Sequence, residues 1–244
     1  MDTAPTSTPL IHKLASILVL SQDETDVLRN VSGTIKTVGP RQDLVREGDR
    51  PHECCLILEG FAYRYKLTHD GKRQIFSFHI PGDIPDLQSL YLDLMDHSLA
   101  SLTATKAMFI PHDTVRDLTR RCPRIGDAFW RDTLIDGAVF REWILNLGRR
   151  EAYGRMAHLL CEFYVRLRAV GLTNGDACEM PFTQAELADA TGLSNVHVNR
   201  TLQELRGEGL ITLRAGSLTV LDWERLKEVG EFDPTYLHLK TAAA

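Results

Sequence analysis

Two short helical patterns separated by one glycine occupy the segment from Phe182 to Arg206, and they constrain the fold more than any other stretch of the chain. Gly192 lies between them, where the chain needs a residue that is free to adopt a positive φ. Residues that share one face recur at helical spacing on both sides, at Leu187, Ala188 and Thr191 before the glycine and at Val198, Thr201, Leu202 and Leu205 after it. This spacing predicts a helix-turn-helix, whose second helix is presented to the major groove of DNA.

The outward face of the second helix carries polar side chains that suit the recognition of DNA. Asparagine and arginine can form bidentate hydrogen bonds with the edges of adenine and guanine. Ser194 precedes the helix and is a good N-cap residue. The predicted base-contacting residues are Asn195, Val196, Asn199 and Arg200, and His197 shares the outward face.

The residues that follow, LITLRAGSLTVLD, alternate in the manner of two strands, at about 210–214 and 217–221, around the turn Ala215-Gly216. A helix-turn-helix followed by such a hairpin is a winged helix. The same spacing also fits a helical hairpin in an ordinary core, but the polar run at 194–200 favours the DNA-binding interpretation.

The composition excludes a protein that attracts nucleic acid through its overall charge. The 244 residues carry a formal net charge of −5. Between 182 and 214 the arginines Arg200, Arg206 and Arg214 are opposed by Glu186, Asp189, Glu204 and Glu208. Affinity for phosphate must therefore come from the local placement of cations and from doubling the site in a dimer.

No membrane segment, signal peptide, metal site or cofactor is indicated. The apolar run at 10–20 is interrupted by His12 and Lys13 and is too short to span a bilayer, so an amphipathic helix is predicted there. The five cysteines lack the spacing of metal ligands, and such an odd, scattered set suits the reducing cytoplasm.

In the central part of the chain, the spacing of apolar residues changes twice, first to a strand pattern and then to a helical one. From about 33 to 111, β-rich runs are separated by glycines at 48, 60, 71 and 82, which predicts an antiparallel roll or jelly roll. From 123 to about 170 the pattern is helical, with glycines at 148 and 154 that can divide it into two segments.

The long helix is apolar on two faces. One stripe is formed by Phe140, Trp143, Ile144 and Leu147, and the other by Trp130, Leu134 and Ala138. A helix that is apolar on two faces packs against two surfaces. The roll and a second copy of the helix are the natural candidates for these two surfaces. The stripe that contains Trp143 is the predicted dimer interface, and a helix covered only by its own chain is the alternative.

These patterns predict an α+β protein with an N-terminal antiparallel β-roll, a long central dimerisation helix and a C-terminal winged helix-turn-helix. The predicted boundaries are a flexible tail at 1–9, the roll with N-terminal helices at 10–122, the dimerisation helix at 123–151, the winged helix at 152–223 and a C-terminal tail at 224–244. The segment Gly171–Met180 is predicted to be a surface loop.

Together these features resemble the cyclic-AMP receptor protein / fumarate-nitrate regulator (CRP/FNR) family over about residues 15–222. The resemblance is most specific at PGDI (81–84), EAYGRMAHLL (151–160) and LSNVHVNR (193–200). It implies a homodimeric transcription regulator whose cyclic-nucleotide-binding-like roll senses an effector and moves the DNA-binding domains relative to each other. Activation of transcription would further require a surface that contacts RNA polymerase.

The resemblance also implies roles in the DNA interface. Arg200 is expected to read a guanine, and Thr183, Ser194 and His197 are expected to lie near phosphates. Val196 stands where the family typically has a glutamate, so the acceptor for a cytosine amino group is missing and valine can touch a thymine methyl group instead. For a dimer, two half-sites one helical turn apart, roughly 34 Å, are implied.

The sequence leaves the effector open. Cyclic-nucleotide binders of the family carry a glutamate and an Arg-Ser pair in one loop of the roll, and here Asp86-Leu87 and His97-Ser98 stand at those places. These residues form the candidate effector pocket. Histidine is a weaker partner for phosphate than arginine, so tight binding of cyclic AMP is not expected. Haem sensing through a histidine and regulation without any ligand are both left open, whereas an iron–sulfur cluster is not expected because the first cysteine is Cys54.

Cys54 and Cys55 are neighbours on a predicted strand, so their side chains are expected to point to opposite faces. One is predicted to lie in the core and the other to be exposed or to face a pocket. Both are predicted to be inert rather than redox-active.

A cupin-like metal-dependent enzyme is the alternative function for a β-roll. That chemistry needs converging histidines and a carboxylate, often with a His-x-His start, and the histidines of the roll never have such spacing. No nucleophile elbow, Walker loop or Rossmann glycine set is present in the sequence. The prediction is therefore a protein that is not an enzyme.

Overall fold

The computed structural model describes residues 7–240, which fall into two compact units. One unit is formed by residues 7–66, 77–137 and 239–240, and the other by residues 67–76 and 138–238.

The first half of the chain contains three helices and seven strands, in the following order: α1 Thr8–Ile17, α2 Gln22–Arg29, β1 Thr34–Val38, β2 Asp43–Val45, β3 Glu53–Glu59, β4 Ala62–Leu67, β5 Arg73–His79, a 3-10 helix Leu87–Leu90, β6 Ser98–Ser101, β7 Thr105–Pro111 and α3 His112–Arg121. The second half is mostly helical, in the following order: α4 Pro123–Arg149, α5 Ala152–Ala169, β8 Thr173–Asn174, β9 Ala177–Glu179, α6 Gln184–Thr191, α7 Asn195–Gly207, β10 Ile211–Arg214, β11 Ser217–Val220, α8 Trp223–Val229 and a 3-10 helix Pro234–Leu237.

The strands of the first half form two antiparallel sheets. In one sheet β7 lies between β1 and β3, so that Phe109 is opposite both Thr34 and Cys55. The order in the other sheet is β2, β6, β4 and β5. This topology confirms the predicted antiparallel roll.

The sheet that contains β3 is covered on both faces. One face packs with the surrounding helices in a core that includes Leu10, Leu14, Leu28, Leu56 and Ile125. The other face lines the interior of the roll with Val45, Ile57, Ala62 and Leu99. Burial on both faces explains why β3 reads as the apolar run CCLIL without alternation.

Cys54 and Cys55 point to opposite faces of β3, but both have no exposed surface. Cys54 belongs to the core beneath the helices and Cys55 to the interior of the roll. The expectation that one of them is exposed or faces a pocket is therefore wrong, because both faces of the sheet are covered. Burial raises the pKa of both thiols above their ordinary value, which disfavours the reactive thiolate.

The long helical stretch is divided in two, as its glycines predict. α4 ends at Arg149 and α5 begins at Ala152. Between them Glu151 has an extended backbone, with φ −68° and ψ 163°. Two residues therefore form the whole linker between these helices.

The winged-helix part contains more regular structure than its sequence predicts. β10 and β11 form the predicted hairpin, and a second hairpin extends it into a sheet with the order β10, β11, β9, β8. Leu218 of β11 lies opposite Cys178 of β9. The expectation of a surface loop at Gly171–Met180 is therefore wrong, because β11 offers an edge on which this short segment pairs.

Both predicted tails are partly folded. α1 already begins at Thr8, within the predicted tail at 1–9, while residues 1–6 lie outside the described residues. Beyond β11 the ring of Trp223 lies 5.6 Å from that of Tyr164, and the ring of Phe232 lies 5.2 Å from that of His158. The segment predicted as a C-terminal tail thus begins with α8 and packs on α5, whereas residues 241–244 lie outside the described residues.

Candidate nucleic-acid interface

Side-chain caps fix the start of both helices in the helix-turn-helix. The Thr183 hydroxyl accepts a hydrogen bond from the N–H of Glu186, whose carboxylate accepts from the Thr183 N–H at 2.7 Å. The Ser194 hydroxyl caps α7 by accepting from the N–H of His197 at 3.2 Å. Between the helices Gly192 has φ +66° and ψ 26°, the left-handed conformation that the sequence predicts for it.

The apolar side of α7 faces inward. Val198, Leu202 and Leu205 are at most 4% exposed, and the helix packs against α5 and α6. Burial of this side fixes the rotation of α7 about its axis. The opposite side is consequently presented to solvent.

The predicted base-contacting residues lie on the solvent side of α7. Asn195, Val196 and Arg200 are exposed, and Asn199 is half-buried. Val196 is 79% exposed, so its methyl groups are available for an apolar contact. Arg200 has no side-chain hydrogen bond or ion pair within residues 7–240, which leaves its five N–H donors available to DNA.

The three residues predicted to contact phosphates differ in the hydrogen-bond donors that remain available to DNA. The O–H of Thr183 donates to the Glu186 carboxylate at 2.8 Å, so its single donor is already used inside the protein. Ser194 uses its oxygen as an acceptor and keeps its O–H for a phosphate. His197 is exposed at the N-terminus of α7, where main-chain N–H groups also favour an anion.

One face of α4 exposes large apolar side chains. Positions spaced alternately by four and three residues along this helix are Trp130, Leu134, Gly137, Arg141, Ile144 and Gly148. Trp130 is 65% exposed, Leu134 53% and Ile144 71%. Alternating steps of four and three are the spacing of a coiled-coil seam, so this row, here called the α4 seam, has the geometry of a helix–helix contact.

The stripe predicted as the dimer interface is partly covered by the protein's own chain. Trp143 is 5% exposed, and its Nε1 donates to the carboxylate of Glu162 on α5 at 3.1 Å. Phe140 and Leu147 are half-buried, whereas Ile144 is exposed and lies in the α4 seam. The assignment of Trp143 to a dimer surface is therefore wrong, because α5 covers that side of α4.

Asp86 of the candidate effector pocket is fully buried. Its Oδ1 accepts a hydrogen bond from the N–H of Cys55 at 2.7 Å, and its Oδ2 has no hydrogen-bond partner among the described residues. Burial raises the pKa of this carboxyl to about 6. Leu87, which follows it, is half-buried at the start of the 3-10 helix.

The other two pocket residues are also engaged within the roll. The Nδ1 of His97 lies 2.6 Å from the carboxylate of Asp96, and the Ser98 hydroxyl accepts from the N–H of Glu47 at 3.0 Å. Burial lowers the pKa of His97, against the opposing effect of Asp96. A phosphate at this position would therefore meet a largely neutral imidazole rather than a fixed positive charge.

Arg64 connects the roll to α4, and nothing in the sequence singles it out. Its Nε donates to the Pro85 carbonyl at 2.7 Å, and its Nη1 donates to Asp136 of α4 at 2.6 Å. The Arg64 side chain is 5% exposed. Burial alone would raise the pKa of Asp136, but the Arg64 guanidinium holds it below its ordinary value. The roll thus contacts α4 through one of its own side chains.

Among residues 7–240, no group of three or more histidine, cysteine, aspartate and glutamate side chains is placed to hold a metal ion. No helix in that range is long and apolar enough to cross a membrane.

Known proteins show the same arrangement of domains. Residues 35–122 match the cyclic nucleotide-binding domain family, and residues 154–229 match the Crp-like helix-turn-helix domain family. The chain is 25% identical to the anaerobic regulatory protein of Haemophilus influenzae, over 94% of this chain and 89% of that protein. It is 28% identical to the transcriptional activator protein FnrL of Cereibacter sphaeroides, over 77% of this chain and 76% of that protein. The solved structure of FixK2 from Bradyrhizobium japonicum is similar with a TM-score of 0.73 at 22% identity, covering 81% of this chain and 96% of that one.

A roll of the cyclic-nucleotide-binding type, followed by a helix-turn-helix with an exposed recognition face, defines a DNA-binding transcription regulator rather than an enzyme. The protein belongs to the CRP/FNR family of transcription regulators. The predicted α+β fold class and the predicted family are confirmed.

Proposed function

We propose that the protein is a cytoplasmic homodimer that binds an inverted-repeat DNA site, with one α7 helix in the major groove of each half-site. The observation that carries this proposal is the exposed Arg200, which has no partner within residues 7–240, beside Asn195 and Val196. Arginine suits a guanine edge, asparagine an adenine edge and valine a thymine methyl group. Contact with RNA polymerase, which activation requires, belongs to the same proposal.

The dimer is proposed to form through the α4 seam. Trp130, Leu134 and Ile144 supply its exposed apolar surface, and Gly137 and Gly148 in the same row allow two helices to approach closely. A second copy of α4 is the occupant that fits, because a two-fold pair of winged helices matches an inverted repeat. Doubling the site also compensates for the low positive charge around α7.

The DNA-binding form is proposed to need no cyclic nucleotide. Two observations support this part: Asp86 and Ser98 are already hydrogen-bonded inside the roll, and Arg64 already links the roll to α4 through Asp136. A ligand shifts a conformational equilibrium only by its difference in affinity for the two states. A roll in which Asp86 Oδ1 and Ser98 already accept main-chain hydrogen bonds, and in which His97 lies against Asp96, offers little such difference to cyclic AMP.

Selection of random duplex DNA by the purified protein is expected to return an inverted repeat with half-site centres about 10–10.5 base pairs apart. The same repeat and the same dissociation constant are expected with and without cyclic AMP, with cyclic GMP as the control nucleotide. Selected sequences without two-fold symmetry would contradict the homodimer. Tighter DNA binding in the presence of cyclic AMP, but not of cyclic GMP, would contradict the proposal that the DNA-binding form needs no cyclic nucleotide.

Asp86→Asn is expected to stabilise the protein at neutral pH by ~3 kcal/mol, because a shift of one pKa unit corresponds to about 1.4 kcal/mol. The pKa of Asp86 is about 6 in the folded protein, against an ordinary value of 3.8. The folded state therefore binds more protons between these values, and the contribution of Asp86 to stability is lost as the pH rises through 6. Asparagine keeps an oxygen acceptor for the N–H of Cys55 and carries no charge.

Urea unfolding of the wild-type protein and the Asp86→Asn variant at pH 4 and pH 7.5 measures this effect. The difference in the free energy of unfolding should be small at pH 4 and reach its full value above pH 6. A difference that does not change with pH would show that the Asp86 carboxyl ionises in the folded protein with its ordinary pKa.

A further inference from the structure

Arg155, near the start of α5, binds three main-chain carbonyl groups through its three guanidinium nitrogens. Nε donates to the carbonyl of Asn146 at 3.1 Å, Nη2 to that of Arg150 at 2.9 Å and Nη1 to that of Thr191 at 2.6 Å. The Asn146 side chain donates in return to the carbonyl of Arg155 at 3.3 Å. One side chain therefore joins the end of α4, the linker after it and the end of α6.

The carbonyl groups at these helix ends are well suited to a cation. The last carbonyls of an α-helix carry the partial negative charge of the helix dipole. Thr191 is the last residue of α6, and Asn146 lies in the last turn of α4. Burial lowers the pKa of Arg155, and the three carbonyl acceptors replace water around its guanidinium.

The position of α7 depends on the position of α6. The turn between them contains Gly192, Leu193 and the N-cap Ser194, and the two helices pack against each other. The linker between α4 and α5 contains only Arg150 and Glu151. A group that holds the end of α6 to the end of α4 therefore also holds the recognition helix.

We propose that Arg155 is a positioning residue that fixes the direction of α7 relative to α4, and that it thereby sets the spacing of half-sites that the dimer accepts. This inference rests on the proposed function, because spacing has a meaning only for a dimer on an inverted repeat. The geometry needs arginine, whose planar fork directs several donors at once. The ammonium group of lysine keeps the charge but has no such fork.

Arg155→Ala and Arg155→Lys in the full chain test the proposal, with Arg149→Ala as the matched control. Arg149 lies in the last turn of α4, is exposed, and has no side-chain hydrogen bond or ion pair within residues 7–240. Dissociation constants are measured on duplexes that carry the selected half-sites at their best spacing and at one or two base pairs more or fewer. Thermal unfolding shows whether each variant is folded. If the alanine variant does not fold, the lysine variant still tests the proposal.

The wild-type protein and the Arg149→Ala variant are expected to prefer one spacing. In both Arg155 variants, the ratio of affinities for the best and the altered spacings is expected to fall about tenfold, while base preference within each half-site is kept. A loss of affinity that is uniform over all spacings would overturn the inference, because it would reflect folding or charge alone. If the wild-type protein itself prefers no spacing, the proposed homodimeric function fails, and the inference fails with it.

Discussion

Arg200→Ala is expected to weaken binding to the selected DNA site by about 1–3 kcal/mol per half-site and to relax specificity at one base pair in each. The reason is that a bidentate contact with guanine distinguishes this base pair from the other three, whereas a phosphate contact distinguishes none. Competition between duplexes changed at one base pair at a time measures both effects.

The control for this substitution is Arg206→Ala. Arg206 has the same charge on the same helix, but it lies in the last turn, where its Nε donates to the Leu202 carbonyl at 3.1 Å. Its removal is expected to change affinity by a similar factor for all sequences. Arg200→Ala should leave stability within about 0.5 kcal/mol of wild type, because Arg200 has no partner within residues 7–240. An unchanged base preference in Arg200→Ala would refute the assignment of Arg200.

Ile144→Asp is expected to raise the dissociation constant of the dimer by at least ~100-fold, which corresponds to about 2.8 kcal/mol. Ile144 is 71% exposed in the single chain, so the change does not disturb the core of one protomer. In a two-fold interface each substitution occurs twice, and an unpaired carboxylate buried there costs several kcal/mol. Sedimentation of the free protein measures the dimer, and binding to the full inverted repeat should fall with it.

Two further variants separate dimerisation from folding. Leu172→Asp makes the same kind of change at an apolar residue that is 42% exposed and lies outside α4, and it should leave the dimer intact. Trp143→Ala removes a buried ring and should destabilise the fold by about 3–5 kcal/mol. A dimeric Ile144→Asp variant would show that the α4 seam is not the interface.

The elements that the sequence predicts correctly have local determinants. Gly192, the cap at Ser194 and the apolar spacing of α7 all act within a few turns of helix, and the structure contains each of them. The strands at 173–179 escape prediction because they are short and exist only where β11 provides an edge for pairing.

The candidate site could be predicted only in part. The outward face of α7 follows from its period alone, and Asn195, Val196 and Arg200 are indeed exposed. Arg64 and Arg155 could not be found in this way, because their acceptors Asp136 and Thr191 lie 72 and 36 residues away in the chain. Arg155 lies in the stretch EAYGRMAHLL (151–160), but that stretch does not indicate which carbonyl groups the side chain binds, and Arg64 belongs to no local pattern.

The sequence by itself determines that a winged helix is present and that Arg200 and Val196 lie on its recognition face, because helical period and capping depend on adjacent residues. Only the tertiary structure decides which apolar stripe of α4 is covered: α5 packs over Trp143, and Ile144 is left exposed. It likewise decides that Asp86 is buried rather than open to a ligand. The physical reason is the same in each case. The spacing of residues along one helix or strand defines its faces, whereas the burial of a face depends on which distant element packs against it.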